Sequence, residues 1–389
     1  MKVLFLAPQP FFRVRGTPIN VRNMLAALGE AGHQVDFVCY PWGEDVSIPG
    51  VRLLRSGRLP GMREVRPGAS FARILLDILM LSKAVGLCLR HRYDVIHAVD
   101  ESAFFAVWLK RLFRVRLIYD MDVSIPEQLE YSGLVRFRPL LRLAAAFERS
   151  AMRHADFVLT VCSLLSDEVR RRAPSARVVQ IEDAPLQPGF QEDAEGAERL
   201  RRELGIGRSP VVLYTGHFEN YQGVDLLLRA MAVVRKRKRH VCCVLVGGAP
   251  EHVGRMQETV RSLDLDAHCV FTGQRPMEEM PAFMTMASVL VSPRMKGMNT
   301  ALKIYTYMQS GRPIVATRLA PHTQVLDDQC ALLVEPTADG IAQGILRALK
   351  EPLFGEALGR EARARVASRY SLASFKHKVR TAYQGLEQK

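Results

Sequence analysis

Strand-like and helix-like patterns alternate along this chain from end to end. Residues 2–8 form a continuous apolar run, the signature of a strand buried on both faces. A loop leads to Thr17, placed to cap a helix with Pro18 at its first position, and Val21, Met24, Leu25 and Leu28 fall at i, i+3, i+4 and i+7. Gly32 stops that helix, and residues 34–40 read as the next strand. Further strands are predicted at 94–98, 116–119, 156–161 and 177–181, with helices over 71–89 and 140–154 and another capped by Ser163.

Residues 183–207 are polar and punctuated by Pro and Gly, with a helix-like ERLRREL inside, and read as a linker. The pattern then restarts. Strands are expected at 211–215, 242–246, 269–272, 289–292, 314–316 and 331–334. Helices are expected at 224–234, from Gly248 to Leu263, at 277–286, up to Ser310, and at 338–349. Repeated βα units of this spacing imply parallel, doubly wound sheets. The expected architecture is α/β: two Rossmann-like domains facing a central cleft, 1–185 and 186–370. A C-terminal segment, 371–389, carries a helix (374–386) expected to pack back across the domain junction.

Composition narrows the class. The chain has 389 residues, 48% hydrophobic and 24% charged, as in a soluble globular protein of two domains. It has no 18-residue uncharged apolar run, and its first residues enter a strand without a signal-peptide cleavage site. The seven cysteines are scattered and form no CxxC pair, so they read as buried thiols in a reducing cytoplasm. The net charge of +14 is shared evenly between the halves. Within the first half, cations outnumber acids between residues 52 and 92, and Lys110, Arg111, Arg114 and Arg116 add four more. Such a field favours anionic lipid or phosphorylated ligands. No zinc finger, RRM signature or basic heptad repeat supports nucleic acid.

The strongest chemical signal is SPRMKGMNTALKIYTYMQSGRPIVAT, residues 292–317. A strand ends, Arg294, Lys296 and Gly297 form a basic loop, Asn299 or Thr300 can cap a helix, and Gly311 stops it. A helix N-terminus flanked by two cations and by Lys303, at a parallel strand's C-terminal end, suits a phosphate or pyrophosphate. A second strand-to-helix loop, residues 214–225, brackets His217 and Gln222 between Gly216 and Gly223. A third follows the first strand, where Gly16 and Thr17 open a helix, but it is not GxGxxG and carries no dinucleotide fingerprint. His97 is expected at the end of a strand, aimed into the cleft, near Asp120 and Asp122. Two carboxylates without a third ligand are too few for a metal site.

In their order these segments resemble the family-4 glycosyltransferases of the GT-B fold over essentially the whole chain. The resemblance rests on MKVLFLAP, Gly32-His33-Gln34-Val35, Asp94-Val95-Ile96-His97, Ala155-Asp156, Tyr214-Thr215-Gly216, Gln222-Gly223-Val224-Asp225 and the 292–317 segment. It implies a retaining transferase with a nucleotide-sugar donor on the second domain and the acceptor on the first, no cofactor, and no strict metal requirement. The donor diphosphate would be held by Arg294, Lys303 and the backbone near Met298, Asn299 and Thr300. Lys296, Gly297, Thr306 and Tyr307 would complete the donor side, and His97 and Asp122 would orient the acceptor.

This chain departs from that pattern. Many members carry two glutamates where Met298 and Thr306 stand, Arg and Lys where His217 and Gln222 stand, and histidine where Asp122 stands. A non-catalytic nucleotide-sugar binding module and a GT-B epimerase therefore remain as alternatives. The expected acceptor is a glycan, lipid-linked or small-molecule hydroxyl. The basic 52–66 stretch and the apolar 71–89 helix suggest peripheral contact with an anionic membrane.

Overall fold

The computed structural model describes residues 1–12, 16–59, 61–62, 71–131, 138–185, 187 and 189–387. The predicted first loop at Arg13, Val14 and Arg15, and the basic residues Arg63 and Arg66, lie outside them. The chain forms two compact units. One comprises Met1–Asp183 with Ala373–Lys389, the other Ala184–Leu372.

The first unit runs β1 (Lys2–Pro10), α1 (Gly16–Glu30), β2 (Gln34–Tyr40), β3 (Val51–Arg55), α2 (Phe71–Arg90) and β4 (Val95–Val99). It continues through α3 (Ser102–Phe113), β5 (Arg116–Met121), α4 (Ile125–Tyr131), α5 (Arg138–His154), β6 (Phe157–Thr160), α6 (Ser163–Arg172) and β7 (Val178–Gln180). Its seven strands are all parallel, in the order β3-β2-β1-β4-β5-β6-β7. The continuous apolar run of β1 is explained by burial on both faces, with Val3 through Ala7 fully covered.

The second unit runs α7 (Ala194–Glu203), β8 (Val211–Gly216), α8 (Val224–Arg237), β9 (Cys242–Gly247), α9 (Pro250–Ser262), β10 (Cys269–Gly273) and α10 (Met280–Met286). Then come β11 (Val289–Ser292), α11 (Leu302–Ser310), β12 (Ile314–Thr317), α12 (Ala320–Thr323), β13 (Leu332–Val334), α13 (Ala338–Lys350) and α14 (Pro352–Arg369). Its six parallel strands are ordered β10-β9-β8-β11-β12-β13, so the order reverses between β8 and β11. The last helix, α15 (Leu372–Glu387), belongs to the first unit, where Lys376 pairs with Glu30 and Lys378 with Glu182.

Several local expectations are corrected. Helix α1 begins at Gly16, so Thr17 lies within it and is not its cap. Ser163 lies within α6, whose N-cap is Cys162, not the serine. Helix α11 begins at Leu302, with Ala301 as its uncapped N-cap, because Asn299 is engaged elsewhere. The ERLRREL stretch is not linker but α7, whose Ala197 and Leu200 enter the second unit's core; Asp193 caps it through the Gly196 amide at 2.8 Å.

None of the seven cysteines forms a disulfide. Among the described residues, no helix is long and apolar enough to cross a membrane.

Candidate functional site

In an open parallel sheet, ligands bind beyond the strands' carboxyl ends where the strand order reverses. In the second unit that point lies between Gly216, ending β8, and the loop after β11. Two interlocked loops form it. The Met295 amide donates to the Tyr221 carbonyl at 2.8 Å. Gly223 sits at φ +73°, and a Cβ there would stand 2.0 Å from the Pro293 carbonyl oxygen, so only glycine allows this approach.

Arg294 is held rigidly. Its Nε donates to the Lys296 carbonyl at 2.8 Å and its Nη2 to Asn299 Oδ1 at 3.0 Å, with the guanidinium 5.5 Å from the Tyr221 ring centroid. Thr317 Oγ1 donates to the Arg294 carbonyl. Below it, His322 bridges Ser292 Oγ (2.8 Å) and the Thr317 carbonyl (2.7 Å), fixing the ends of β11 and β12. Because a carbonyl only accepts, the Nδ1 of His322 carries its proton. Burial, with Arg294 and Lys303 nearby, pushes the pKa of His322 down to about 4, so this histidine is neutral.

Lys303 rises from the first turn of α11. Its ammonium lies 3.9 Å from the Tyr214 ring centroid and 3.4 Å from Gln222 Oε1. A Cβ at Gly216, which holds φ +129°, would come 2.9 Å from Nζ. Among the described residues no carboxylate lies within ion-pair distance of Lys303. Burial lowers its pKa well below the usual lysine range, and Arg294 lowers it further; Glu219 opposes them weakly.

Among the described residues of the second unit, four buried side-chain atoms lack a hydrogen-bond partner, and three are Glu219 Oε2, Thr300 Oγ1 and Thr306 Oγ1. Buried polar groups are normally paired, so these three atoms, on the two loops and on α11, are open to a polar ligand.

The structure thus brings Gly216, Gln222, Gly223, Arg294, Gly297, Asn299 and Lys303 together. Lys296 is exposed at the loop's edge, Met298 accepts from Gln324 through its carbonyl at 2.7 Å, and the His217 carbonyl accepts from Tyr214 at 2.6 Å. Tyr307 is fully buried, and its hydroxyl accepts from the Thr215 amide at 2.8 Å, so it supports the end of β8. Glu219 and Tyr221 were not singled out in sequence, although they lie in the 214–225 segment that was. Nothing local marked His322, whose partners are set by the tertiary fold. Among the described residues, no three His, Cys, Asp or Glu side chains converge to hold a metal ion.

The first unit's candidates separate differently. His97 is not at a strand end aimed outward; it lies in the middle of β4 and is fully buried. It stacks on Phe5 at 4.1 Å, and its ring nitrogens meet Asp120 Oδ2 at 3.0 Å and the Tyr383 hydroxyl of α15 at 2.7 Å. Its position makes it a clamp between sheet and last helix. Asp122, just past β5, accepts from Asn20 Nδ2 at 3.1 Å. Burial, then Asp100 and Asp120, pushes its carboxyl well above the usual range. Gly16 is exposed at the start of α1, and a side chain there would meet nothing within 4 Å. Tyr383→Phe is expected to cost about 1–2 kcal/mol by stranding a buried His97 nitrogen, while leaving nucleotide binding unchanged. Urea denaturation with and without nucleotide checks both halves.

The depressed Lys303 pKa has a sign that can be tested. In the folded protein the lysine loses its proton at lower pH than in the unfolded chain. Between those two pKa values the unfolded chain holds more protons, so the burial penalty fades as pH rises through that window. An anionic ligand favours the charged lysine and raises its pKa again. Nucleotide binding above the folded pKa is therefore expected to take up a proton and to weaken as pH rises. Calorimetry in buffers of different ionisation heat should show this uptake, and Lys303→Met should abolish it.

Two parallel α/β sheets of seven and six strands, with cations gathered at the switch point of the second, fit the GT-B fold. Two family descriptions match it: "Glycosyl transferase 4-like domain" over residues 15–183 and "Glycosyl transferases group 1" over residues 209–351. A third, "Family 4 Glycosyltransferase in conflict systems", matches residues 115–279. The chain belongs to the family-4 glycosyltransferases of the GT-B fold.

The GDP-mannose-dependent alpha-(1-6)-phosphatidylinositol monomannoside mannosyltransferase of Mycolicibacterium smegmatis is 31% identical over 54% of this chain and 58% of its own length. The match thus spans less than two thirds of that relative. The alpha-D-kanosaminyltransferase of Streptomyces kanamyceticus is 26% identical over 70% of this chain and 71% of its own. Among solved structures, the sucrose-phosphate synthase of Thermosynechococcus elongatus superposes with a TM-score of 0.81 at 20% identity, covering 100% of this chain and 99% of its own. HepE of Anabaena, in complex with UDP-glucose, gives 0.78 at 17% identity, covering 99% and 100%. These two likenesses establish the fold.

Proposed function

We propose that this protein transfers a sugar from a nucleoside-diphosphate sugar to a hydroxyl acceptor with retention of configuration. The observation that carries the reading is Lys303: a buried ammonium beside a second cation, Arg294, with no carboxylate of the described residues at ion-pair distance. Two desolvated like charges are costly unless an anion completes the site. A diphosphate is dianionic or more and matches both.

Transfer then proceeds as follows. The donor's C1–O bond to the β-phosphate breaks, and negative charge grows on the leaving diphosphate. Arg294 and Lys303 already face that charge, so they stabilise the transition state more than the ground state. The acceptor oxygen bonds to C1 on the same face, and its proton passes to the leaving phosphate. The products are a glycoside and a nucleoside diphosphate. In this scheme the protein's own cations neutralise the leaving group, and neither a metal nor a cofactor takes part in a step. Asp122, at the end of β5 in the first unit, is the side chain proposed to meet the acceptor. The name of one relative, a phosphatidylinositol monomannoside mannosyltransferase, favours a lipid-linked acceptor, and a glycan or small-molecule hydroxyl stays within the reading.

Incubation with UDP-, GDP- and ADP-sugars, with released nucleoside diphosphate measured by chromatography, tests the reading. Release of one nucleotide, stimulated by acceptor, is expected. Binding without release would point to a non-catalytic module, and conversion of the sugar without acceptor would point to an epimerase.

A further inference from the structure

We infer that the outer face of α3 and α5 is a docking surface for an anionic lipid membrane. Among the described residues eleven large apolar side chains are exposed, and nine of them sit on α2, α3 and α5. That concentration is not the scattered exposure normal for a soluble surface. Helices α3 and α5 lie side by side. Phe104 of α3 stacks on Phe147 of α5 with ring centroids 6.1 Å apart, and Arg111 meets His154 one further stretch along, at 2.7 Å. The equal spacing of these two contacts means that the helices run in the same direction. The stripe therefore continues from Leu140 and Leu143 through Phe147 to Trp108 and Leu112.

Charge decides the occupant. Arg111, Arg138, Arg142 and Arg149 are exposed on the same two helices. Helix α3 contains no acidic residue, and the single acid of α5, Glu148, is fully buried against Arg172. An apolar stripe edged by arginine and lacking exposed carboxylate fits a bilayer whose headgroups are anionic. Two copies of this same face would bring arginines against arginines, so self-association is disfavoured. Trp108, 66% exposed, has the amphipathic ring that settles at a membrane–water boundary. The sequence had located membrane contact in residues 52–66 and 71–89. The stripe described here adds α3 and α5 to that region, in which α2 itself exposes Ile74, Leu75, Ile78 and Leu89. On α2 the residues Leu76, Met80 and Ala84 are turned into the core.

The inference does not depend on the donor site, and its test is independent of turnover. The full-length protein is floated with vesicles of phosphatidylcholine and phosphatidylglycerol, or of phosphatidylcholine alone, at low and high salt. The chain has two tryptophans, and the other, Trp42, is buried, so a Trp42→Phe variant reports Trp108 alone. Flotation with the anionic vesicles, reversed by salt, and a blue shift of Trp108 emission are expected. Leu112→Ser with Leu143→Ser, and separately Arg142→Gln with Arg149→Gln, should each lower partition about tenfold or more without moving the melting temperature. No flotation at low salt, or variants that float like the wild type, would overturn the inference. So would a dimer seen by light scattering that the leucine variant dissolves while vesicles remain unbound.

Discussion

Lys303→Met is expected to lower kcat/KM about 100- to 1000-fold, the scale of removing one preorganised donor from a developing oxyanion. The nucleotide-free protein should melt no lower than the wild type. The two halves of this prediction have one cause. In the resting protein the Lys303 ammonium is desolvated, faces Arg294 and lacks a carboxylate at ion-pair distance among the described residues, so its charge is a burden there. Methionine fills a similar volume against Tyr214 and removes that burden. During transfer the same charge meets the departing diphosphate, and its loss is felt in full. A conventional structural lysine would behave the opposite way, with stability falling and turnover little changed. Steady-state kinetics beside a thermal melt separates the two.

The second large effect is expected at Gly297. The residue holds φ +117°, and a Cβ there would stand 2.3 Å from Arg294 Nη2 and 3.0 Å from its Cζ. The guanidinium is pinned by the Lys296 carbonyl, Asn299 and the Tyr221 ring. It cannot yield without giving up these contacts. Gly297→Ala should therefore cost about 1–3 kcal/mol in backbone strain. Because Arg294 leaves its place, it should also cost about 100-fold in turnover. Wild-type turnover by Gly297→Ala, with the melting temperature lowered or not, would mean that the Arg294 position is immaterial to the chemistry.

Much of this was legible because parallel strands are buried on both faces and declare themselves as unbroken apolar runs. Residues 34–40 and 289–292 coincide with β2 and β11 to the residue. The phosphate-like loop was legible because glycine, cations and a helix start crowd into one segment. What escaped depended on contacts far apart in sequence. His97 looked like a cleft residue by position, yet Tyr383, 286 residues away, claims its Nδ1. Asn299 had the composition of a cap, but Arg294 takes its side-chain oxygen. Helix α14 went unread because its contact face is built partly from glycine: Gly359 packs so closely that a Cβ would stand 1.9 Å from the Gly311 carbonyl oxygen. Such a face carries little hydrophobic periodicity. Helix α3 was hidden for a different reason, since Trp108 and Leu112 break the apolar-in, polar-out pattern by facing solvent.

The central claim is that a nucleoside diphosphate occupies the switch point of the second unit and is held by Lys303. Thermal melts of the wild type and Lys303→Met against UDP, GDP and ADP, each far above the expected affinity, test it most directly. A ligand that binds only the folded state raises the melting temperature. The account predicts a rise for the wild type with one of the three nucleotides, and little or none for Lys303→Met. No rise with any nucleotide, or an equal rise in both proteins, would contradict it.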